Sequence, residues 1–158
     1  MFCAKSTSPK KHVLSHPEVC PSPTCGQPLN PASPATFELI GDLLGECTGN
    51  RSGGGLFPET LIHLGGDEVK TGCWTKTPAV AEWLAAKNLT ATEAYGYFVN
   101  RTAHLSIAMG RRPVQWNEVY INFRKQLPRE AIVHVWNCRL CVAAAAADGY
   151  NVLNSNGW

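Results

Sequence analysis

The feature that most constrains the fold of this chain is the alternation of strand-like and helix-like segments along its length. After residue 33 the hydrophobic patterns predict the order helix, strand, helix, helix, strand, strand, helix, strand. The predicted strands are short apolar runs at residues 60–64, 113–116, 131–136 and 150–154. Apolar strands that alternate with helices are typical of a parallel sheet covered by helices, so the predicted fold class is α/β.

The predicted helices have recognisable ends. Ser33 precedes a proline and suits the start of the first helix, and Pro78 suits the first turn of the second. Thr90 and Glu93 form a capping box for the third helix. The alanine-rich run that follows the third strand predicts the last helix, which stops before Gly149.

Four parallel strands make half of an eight-stranded (β/α)8 TIM barrel, which takes about 250 residues to close. The chain has 158 residues and is therefore predicted to be a partial barrel. The rival is a doubly wound open sheet, but no Gly-x-Gly-x-x-Gly run supports its dinucleotide-binding version. Residues 1–32 are expected to be irregular and residues 49–55 to be a flexible surface loop. The predicted division is a Pro/Ser/Cys-rich N-terminal segment, residues 1–24, followed by the partial domain, residues 25–158.

Charge argues against nucleic acid as a partner, and hydropathy argues against a transmembrane segment. Lys and Arg number 14 against 12 Asp and Glu, and the net charge of +2 gives no electrostatic footprint for nucleic acid. The longest apolar stretch, residues 141–147, is too short to cross a bilayer, so no transmembrane segment is predicted.

Cysteines and glycosylation sequons favour an origin in the secretory pathway. The chain has 7 cysteines, and sequons begin at Asn50, Asn88 and Asn100. The first twenty residues nevertheless lack the apolar core of a signal peptide. We therefore expect the true start to lie upstream, or the chain to be a fragment.

Unusual side chains follow directly after the predicted strands. Asp67 and Glu68 follow the first strand, Trp116 and Glu118 the second, and Trp136 the third. The carboxyl ends of parallel strands form the face where ligands bind. Acids for proton transfer beside flat apolar rings favour a sugar site. The alternatives are core packing for the tryptophans and a solvated loop or helix N-terminus for the acids.

The segment His63-Leu64-Gly65-Gly66-Asp67-Glu68-Val69 resembles the signature of glycoside hydrolase family 20, the β-N-acetylhexosaminidases, and looks most like the plant-type enzymes. Four further segments resemble the family in the same order and at similar spacing, namely residues 25–31, 73–74, 113–118 and 132–136. The resemblance extends from about residue 20 to the end of the sequence. It covers the middle of the family's catalytic barrel rather than the whole domain.

The resemblance implies removal of terminal non-reducing N-acetylglucosamine or N-acetylgalactosamine from glycans by substrate-assisted retaining catalysis. Glu68 would protonate the departing oxygen and then act as base on water, while Asp67 would orient the acetamido group. Trp116 and Trp136 would line the pocket, and Glu118 would either assist the pocket or form an ion pair. No cofactor or metal is implied, because the nucleophile belongs to the substrate.

The resemblance implies one disulfide, and the residues themselves suggest further predictions for His63 and for a second cysteine pair. Cys25 and Cys73 match cysteines that the family pairs, and theirs is the one disulfide that the resemblance implies. His63 is expected to be a buried, hydrogen-bonded strand residue beside the acids. Cys138 and Cys141 have Cys-x-x-Cys spacing, which we interpret as a coincidence at a helix start rather than a zinc or redox site.

Two hypotheses of different class follow. The first is an exo-acting hexosaminidase of which this chain is a part, and the second is a non-catalytic fragment, inert or acting only by binding. The resemblance implies a location in the vacuole or lysosome, outside the cell or at a membrane, and it leaves a homo-oligomer open. The family's earlier barrel strands lie outside this sequence, so we expect the isolated chain to be inactive or barely active.

Overall fold

The computed structural model of the chain describes residues 16–25, 28–50, 53–124 and 126–157. They divide into two compact units, one formed by residues up to 39 with 69–97 and the other by residues 40–68 with those from 98 onward. The helices are α1 (Pro34–Thr48), α2 (Pro78–Ala86), α3 (Ala91–Ala108), α4 (Asn117–Phe123) and α5 (Arg139–Ala147). The strands are β1 (Gly49–Asn50), β2 (Gly53–Gly54), β3 (Leu61–Gly65), β4 (Arg112–Trp116), β5 (Ile132–Val135) and β6 (Asn151–Asn154).

A four-stranded parallel sheet in the order β3-β4-β5-β6 forms the centre of the second unit. His63 pairs with Val114, Trp116 with His134, and His134 with Leu153. Because side chains alternate along a strand, these residues lie on the same face of the sheet. The helices α4 and α5 connect β4 to β5 and β5 to β6. The predicted parallel α/β sheet of four strands is therefore confirmed.

The two faces of the sheet differ in burial. On the helix side Gln115 is buried and its Nε2 donates a hydrogen bond to the carbonyl oxygen of Val99 in α3, at 3.3 Å. The opposite face is accessible at Leu61, which is 44% exposed, and at Leu153, which is 42% exposed, while Val114 and Ile132 on the same face are buried. His63 lies in β3 on this accessible face and is exposed. The prediction that His63 is buried is therefore wrong, since its position in the alternation of β3 directs it away from the helices.

The predicted helix starts agree with the structure. The helices α1 and α2 begin at Pro34 and Pro78. At the start of α3 the backbone N–H of Thr90 donates to Glu93 Oε2 at 2.7 Å, and the backbone N–H of Glu93 donates to Thr90 Oγ1 at 3.2 Å. This capping box lowers the pKa of the Glu93 carboxyl, mainly through the backbone hydrogen bond. In the described part of the chain, no helix is long and apolar enough to cross a membrane.

Two local predictions are wrong. The glycine-rich segment predicted to be a flexible loop contains β1 and β2, which pair antiparallel through Gly49 with Gly54 and Asn50 with Gly53. The helix α4 is absent from the sequence prediction, because its N-cap is Trp116, whose side chain makes no capping hydrogen bond. A helix that starts directly at a strand end without a capping side chain leaves little signal in the sequence.

A buried tryptophan and a disulfide stabilise the first unit. Trp74 is 1% exposed, and its Nε1 donates to the carbonyl oxygen of Leu29 at 3.2 Å. The neighbouring Cys73 is bonded to Cys25, with their Cα atoms 5.7 Å apart. The structure thus contains the disulfide that the family resemblance implies.

A second disulfide joins Cys138 to Cys141 at the start of α5. The Cα atoms are 5.3 Å apart, within the range that a disulfide spans. The two cysteines of the Cys-x-x-Cys pattern are therefore bonded to each other, and the interpretation of the pattern as a coincidence is wrong. Cys47 is the free cysteine within the described ranges.

Arg111 anchors the segment that leads into β3. Its guanidinium is buried and donates to the carbonyl oxygens of Pro58 at 3.1 Å and Glu59 at 2.9 Å, as well as to that of Thr48. A buried charge needs such partners to offset its lost hydration. The entry into β3 is consequently fixed to the start of β4.

Candidate active site

Asp67 and Glu68 lie in the loop directly after β3, and both residues are exposed. The backbone turns sharply here, with φ of 71° at Gly65 and 93° at Gly66, in the region that favours glycine. Glu68 also has a positive φ, of 49°. A non-glycine residue held in this region is strained, and such strain concentrates at functional sites. The conformation of Glu68 is therefore consistent with a functional position.

Gly66 is packed so closely that no side chain fits. A Cβ atom at this position would lie 2.5 Å from Cγ2 of Val119 and 3.8 Å from Cγ1 of Val99. We expect Gly66→Ala to destabilise the fold by about 2–3 kcal/mol through overpacking and the positive φ, which lowers Tm by roughly 5–10 °C. Thermal unfolding followed by circular dichroism measures this loss. The control is Gly45→Ala in α1, where a Cβ meets nothing within 4 Å and stability should rise by about 1 kcal/mol. Equal Tm values for Gly66→Ala and the unmodified chain would contradict the close packing.

Trp116 and Trp136 form the aromatic part of the candidate site. Trp116 ends β4, and Trp136 follows β5 and is 39% exposed. Their ring centroids are 6.3 Å apart in an edge-to-face arrangement at 66°. The Trp116 ring also contacts His63 at 4.5 Å and His134 at 4.3 Å, centroid to centroid. The two tryptophans that the sequence predicts as substrate-binding are thus neighbours at the carboxyl ends of β4 and β5.

Glu118 lies in the first turn of α4 and holds the Trp136 side chain. The indole Nε1 of Trp136 donates to both carboxylate oxygens of Glu118, at 2.9 and 3.1 Å, and Asn137 Nδ2 donates to Oε1 at 3.1 Å. Asn117 is fully buried and supports the same corner: its Nδ2 donates to Asn137 Oδ1 at 2.8 Å, and its Oδ1 accepts from the Trp136 backbone N–H at 3.0 Å. Of the two roles open for Glu118, these bonds favour assistance to the pocket.

A pair of histidines lies beside Trp116 on the accessible face. His63 Nε2 is 3.1 Å from His134 Nδ1, and His134 Nε2 is 3.0 Å from Ser155 Oγ. The sequence pattern identifies His63 as a residue beside the acids but gives no such indication for His134 or Ser155. A polar residue between the apolar residues of β5, on the same face as Trp116, is the signal that could have identified His134.

The electrostatics link His63 to the acid loop. Although His63 is exposed, partial desolvation of its imidazole by the neighbouring groups lowers its pKa, repulsion by His134 lowers the pKa further, and Asp67 raises it. Of the groups that act on His63, Asp67 is the one from the acid loop, and His63 in turn contacts the Trp116 ring.

The sequons differ in how accessible their asparagines are. Asn88 follows α2 with φ of 52° and is exposed. Asn100 lies on α3 and is half-buried, and its Nδ2 donates to the carbonyl oxygen of Gln126. The side chain of Asn50 lies outside the described part of the chain. Glycosylation at all three asparagines stays a prediction.

A parallel α/β sheet whose carboxyl edge carries an acid pair and accessible indole rings has the arrangement of the barrel-type glycoside hydrolases. Sequence comparison specifies the family: the model described as "Glycosyl hydrolase family 20, catalytic domain" matches residues 4–158. The chain belongs to glycosyl hydrolase family 20.

Plant hexosaminidases are among its similar sequences. Beta-hexosaminidase 3 of Arabidopsis thaliana is 36% identical over 149 residues, which cover 92% of this chain and 27% of the relative. Beta-hexosaminidase 1 of the same plant is 36% identical over 141 residues, which cover 89% of this chain and 25% of the relative. The chain thus spans about a quarter of the length of the curated relatives it matches.

Solved structures confirm the barrel fold. The chitobiase of Flavobacterium johnsoniae aligns with a TM-score of 0.73 and 27% identity over 91% of this chain and 23% of that one. The exo beta-N-acetylglucosaminidase of Vibrio harveyi, in complex with N-acetylglucosamine, aligns with a TM-score of 0.71 and 25% identity over 84% and 20%. The four strands are therefore part of a family 20 TIM barrel.

Proposed function

We propose that this chain forms the acid–base part of the active site of a β-N-acetylhexosaminidase, which removes terminal non-reducing N-acetylhexosamine from glycans. The observation that carries the proposal is the position of Asp67 and Glu68 at the end of β3, in the same compact unit as the adjoining rings of Trp116 and Trp136. Membership of family 20 supports it independently.

Glu68 acts as general acid and then as general base. In the first step its carboxylic acid donates a proton to the glycosidic oxygen while the 2-acetamido carbonyl oxygen attacks the anomeric carbon. The glycosidic bond breaks, the alcohol leaves and a cyclic oxazolinium ion forms. In the second step the Glu68 carboxylate takes a proton from water, whose oxygen attacks the anomeric carbon and reopens the ring. Configuration is retained and the acid is regenerated.

Asp67 accepts the acetamido N–H and thereby orients the carbonyl oxygen toward the anomeric carbon. Its negative charge stabilises the positive charge that develops on the cyclic ion. Asp67 and Glu68 are consecutive residues of one loop, so their Cα atoms lie about 3.8 Å apart and both carboxyl groups can reach a single sugar. One carboxyl group can therefore hold the amide while the other addresses the glycosidic oxygen.

Trp116 and Trp136 provide apolar ring surface for the sugar. Pyranose faces carry C–H groups that pack against indole rings, and an accessible tryptophan offers this surface at low entropic cost. Glu118 keeps the Trp136 indole in place through the two Nε1 hydrogen bonds. We assign Glu118 to the pocket through this indirect action.

The wider context of the site is also proposed. Residues 25–158 are the partial catalytic domain, with residues 1–24 as the N-terminal segment. The substrates are glycans that end in N-acetylglucosamine or N-acetylgalactosamine. A secretory-pathway location and glycans on Asn50, Asn88 and Asn100 remain predictions from the sequence.

Selectivity for the acetamido group tests the proposal. N-Acetylglucosamine added to the ¹⁵N-labelled chain should perturb the indole N–H signals of Trp116 and Trp136, and glucose at the same concentration should not. Asp67→Asn replaces a charged acceptor with a neutral one, so its affinity for N-acetylglucosamine should fall about 10- to 100-fold. Asp42→Asn, at an exposed acid on α1, is the control and should bind normally.

The outcomes separate the two hypotheses. Acetamido-selective binding that depends on Asp67, together with release of p-nitrophenol from the N-acetylglucosaminide, supports the hexosaminidase. The same binding without release by the folded chain supports a fragment that acts only by binding. A folded chain that responds to neither sugar contradicts the proposal.

A further inference from the structure

Four hydrogen bonds join the carboxyl ends of three strands in a single line. The backbone N–H of Gly65 donates to His63 Nδ1 at 3.0 Å, and His63 Nε2 is 3.1 Å from His134 Nδ1. His134 Nε2 is 3.0 Å from Ser155 Oγ, which in turn donates to the carbonyl oxygen of Val135 at 3.4 Å. The line connects β3 to β5 and then to the residue that follows β6.

The first of these bonds fixes the direction of all the others. A backbone N–H can only donate, so His63 Nδ1 must accept, and neutral His63 carries its proton on Nε2. That N–H donates to His134 Nδ1, which places the proton of neutral His134 on Nε2. Ser155 Oγ accepts from that nitrogen and donates onward. Every donor in the line therefore meets an acceptor in one arrangement of protons.

We propose that this line of four hydrogen bonds, which we call the relay, fixes the turn at Gly65 and Gly66. It thereby determines the positions of the Asp67 and Glu68 carboxylates, so that His63 and His134 are positioning residues. The inference rests on the proposed function. Gly65 is the first residue of the turn, and its N–H is held by a side chain that is itself locked by two other strands. A displacement of about 1 Å in such a turn can cost a large part of the activity of the groups it carries.

The relay needs both imidazoles to be neutral. A second proton on His63 would sit on Nδ1 and oppose the Gly65 N–H, and one on His134 would oppose the His63 Nε2–H. The titratable and charged groups that act on His63 are His134 of β5 and Asp67 of the loop after β3. Trp116 of β4 and Ser155 contribute uncharged contacts.

The pH dependence follows from these groups. Partial burial and His134 hold the pKa of His63 below its ordinary value of 6.5, while Asp67 opposes this shift. A histidine whose folded pKa is lowered stabilises the fold above the unfolded pKa. This contribution is lost as the pH falls from about 6.5 through the folded pKa, so the relay should be intact at neutral pH and break under acid conditions.

Imidazole ¹⁵N NMR of the purified chain tests the relay without using any sugar. At neutral pH we expect a proton on Nε2 and none on Nδ1 for both His63 and His134. On acidification the signals of the Gly65 amide and the two imidazoles should change together. A His63 that carries its proton on Nδ1, or that exchanges between the two forms, would overturn the relay.

Two variants of one residue separate positioning from simple packing. His134→Gln keeps an acceptor for His63 and a donor for Ser155 but does not titrate, whereas His134→Leu keeps only bulk. We expect His134→Leu to release the His63 tautomer and to weaken N-acetylglucosamine binding about tenfold, by the loss of one hydrogen bond that orders the turn. His134→Gln should bind within about twofold of the unmodified chain.

The control is His104→Leu on α3, where Nδ1 lies 2.9 Å from the carbonyl oxygen of Asn100 in the same helix. This variant should leave both the His63 tautomer and sugar binding unchanged. Unchanged sugar affinity in His134→Leu would overturn the positioning role and leave the proposed function standing. Correct tautomers with no sugar response in the unmodified chain would instead contradict the proposed function.

Discussion

In a full-length family 20 barrel that carries this sequence, Glu68→Gln is expected to lower the hydrolysis of p-nitrophenyl N-acetyl-β-glucosaminide by roughly 10²–10⁴-fold relative to the same protein without the substitution. Glutamine has nearly the same shape as the acid, but it can neither protonate the glycosidic oxygen nor take the proton from water in the second step, and the second step applies to every leaving group. The remaining groups still bind the sugar and present the acetamido nucleophile, so the loss should fall short of complete inactivity. Initial rates of p-nitrophenol release measure the difference.

A comparison of two substrates with different leaving groups makes this test more specific for the proton donor. p-Nitrophenolate departs with little protonation, whereas a sugar alcohol needs a full proton. The loss in Glu68→Gln should therefore be larger on an N-acetylglucosamine disaccharide than on the nitrophenyl substrate. Asp67→Asn acts on the nucleophile instead, and should lose similar factors on both substrates.

A matched control lies close by in sequence. Glu59→Gln changes an exposed acid in the segment before β3 and should hydrolyse both substrates at the unmodified rate. Equal rates in Glu68→Gln and the unmodified chain, on the disaccharide as well, would remove Glu68 from the chemistry.

Replacing Cys25 and Cys73 with serine is expected to lower the free energy of unfolding by about 4 kcal/mol. The bond joins residues 48 apart in sequence, so it removes a large loop-closure entropy from the unfolded chain. It also borders the buried Trp74, whose fluorescence can report loss of the surrounding structure. Urea denaturation of the unmodified chain and of the double variant, both under oxidising conditions, measures the change in the free energy of unfolding.

The second disulfide provides the comparison. Cys138 and Cys141 are 3 residues apart, and the same loop-closure argument gives only about 2 kcal/mol for their replacement by serine. Both double variants replace two bonded cysteines with serine, and the closed loops differ in length, 48 against 3 residues. Equal losses for the two pairs, or none for Cys25 and Cys73, would contradict the entropic account.

Local sequence signals predicted most of the fold. The capping box of Thr90 and Glu93 is visible three residues apart and appears in the structure with both hydrogen bonds. The apolar runs of β3 to β6 are equally local. The predictions failed where the structure has no local sequence signal. The helix α4 starts at a strand end without a capping side chain, and β1 pairs with β2 inside a glycine-rich segment.

The candidate site divides in the same way. Asp67 and Glu68 could be identified because they are contiguous and follow a strand. The His63–His134 contact joins residues 71 apart, and the His134–Ser155 contact joins residues 21 apart. These contacts depend on the register of parallel strands, which apolar patterning alone does not specify. The role of Glu118 likewise required its distances to the Trp136 indole.

The most direct test of the account is a crystal structure of the chain with N-acetylglucosamine bound. We expect the pyranose to pack against Trp116 and Trp136, with the acetamido nitrogen within hydrogen-bond distance of the Asp67 carboxylate and Glu68 facing the oxygen on the anomeric carbon. A sugar bound elsewhere, or one from which both carboxylates point away, would contradict it.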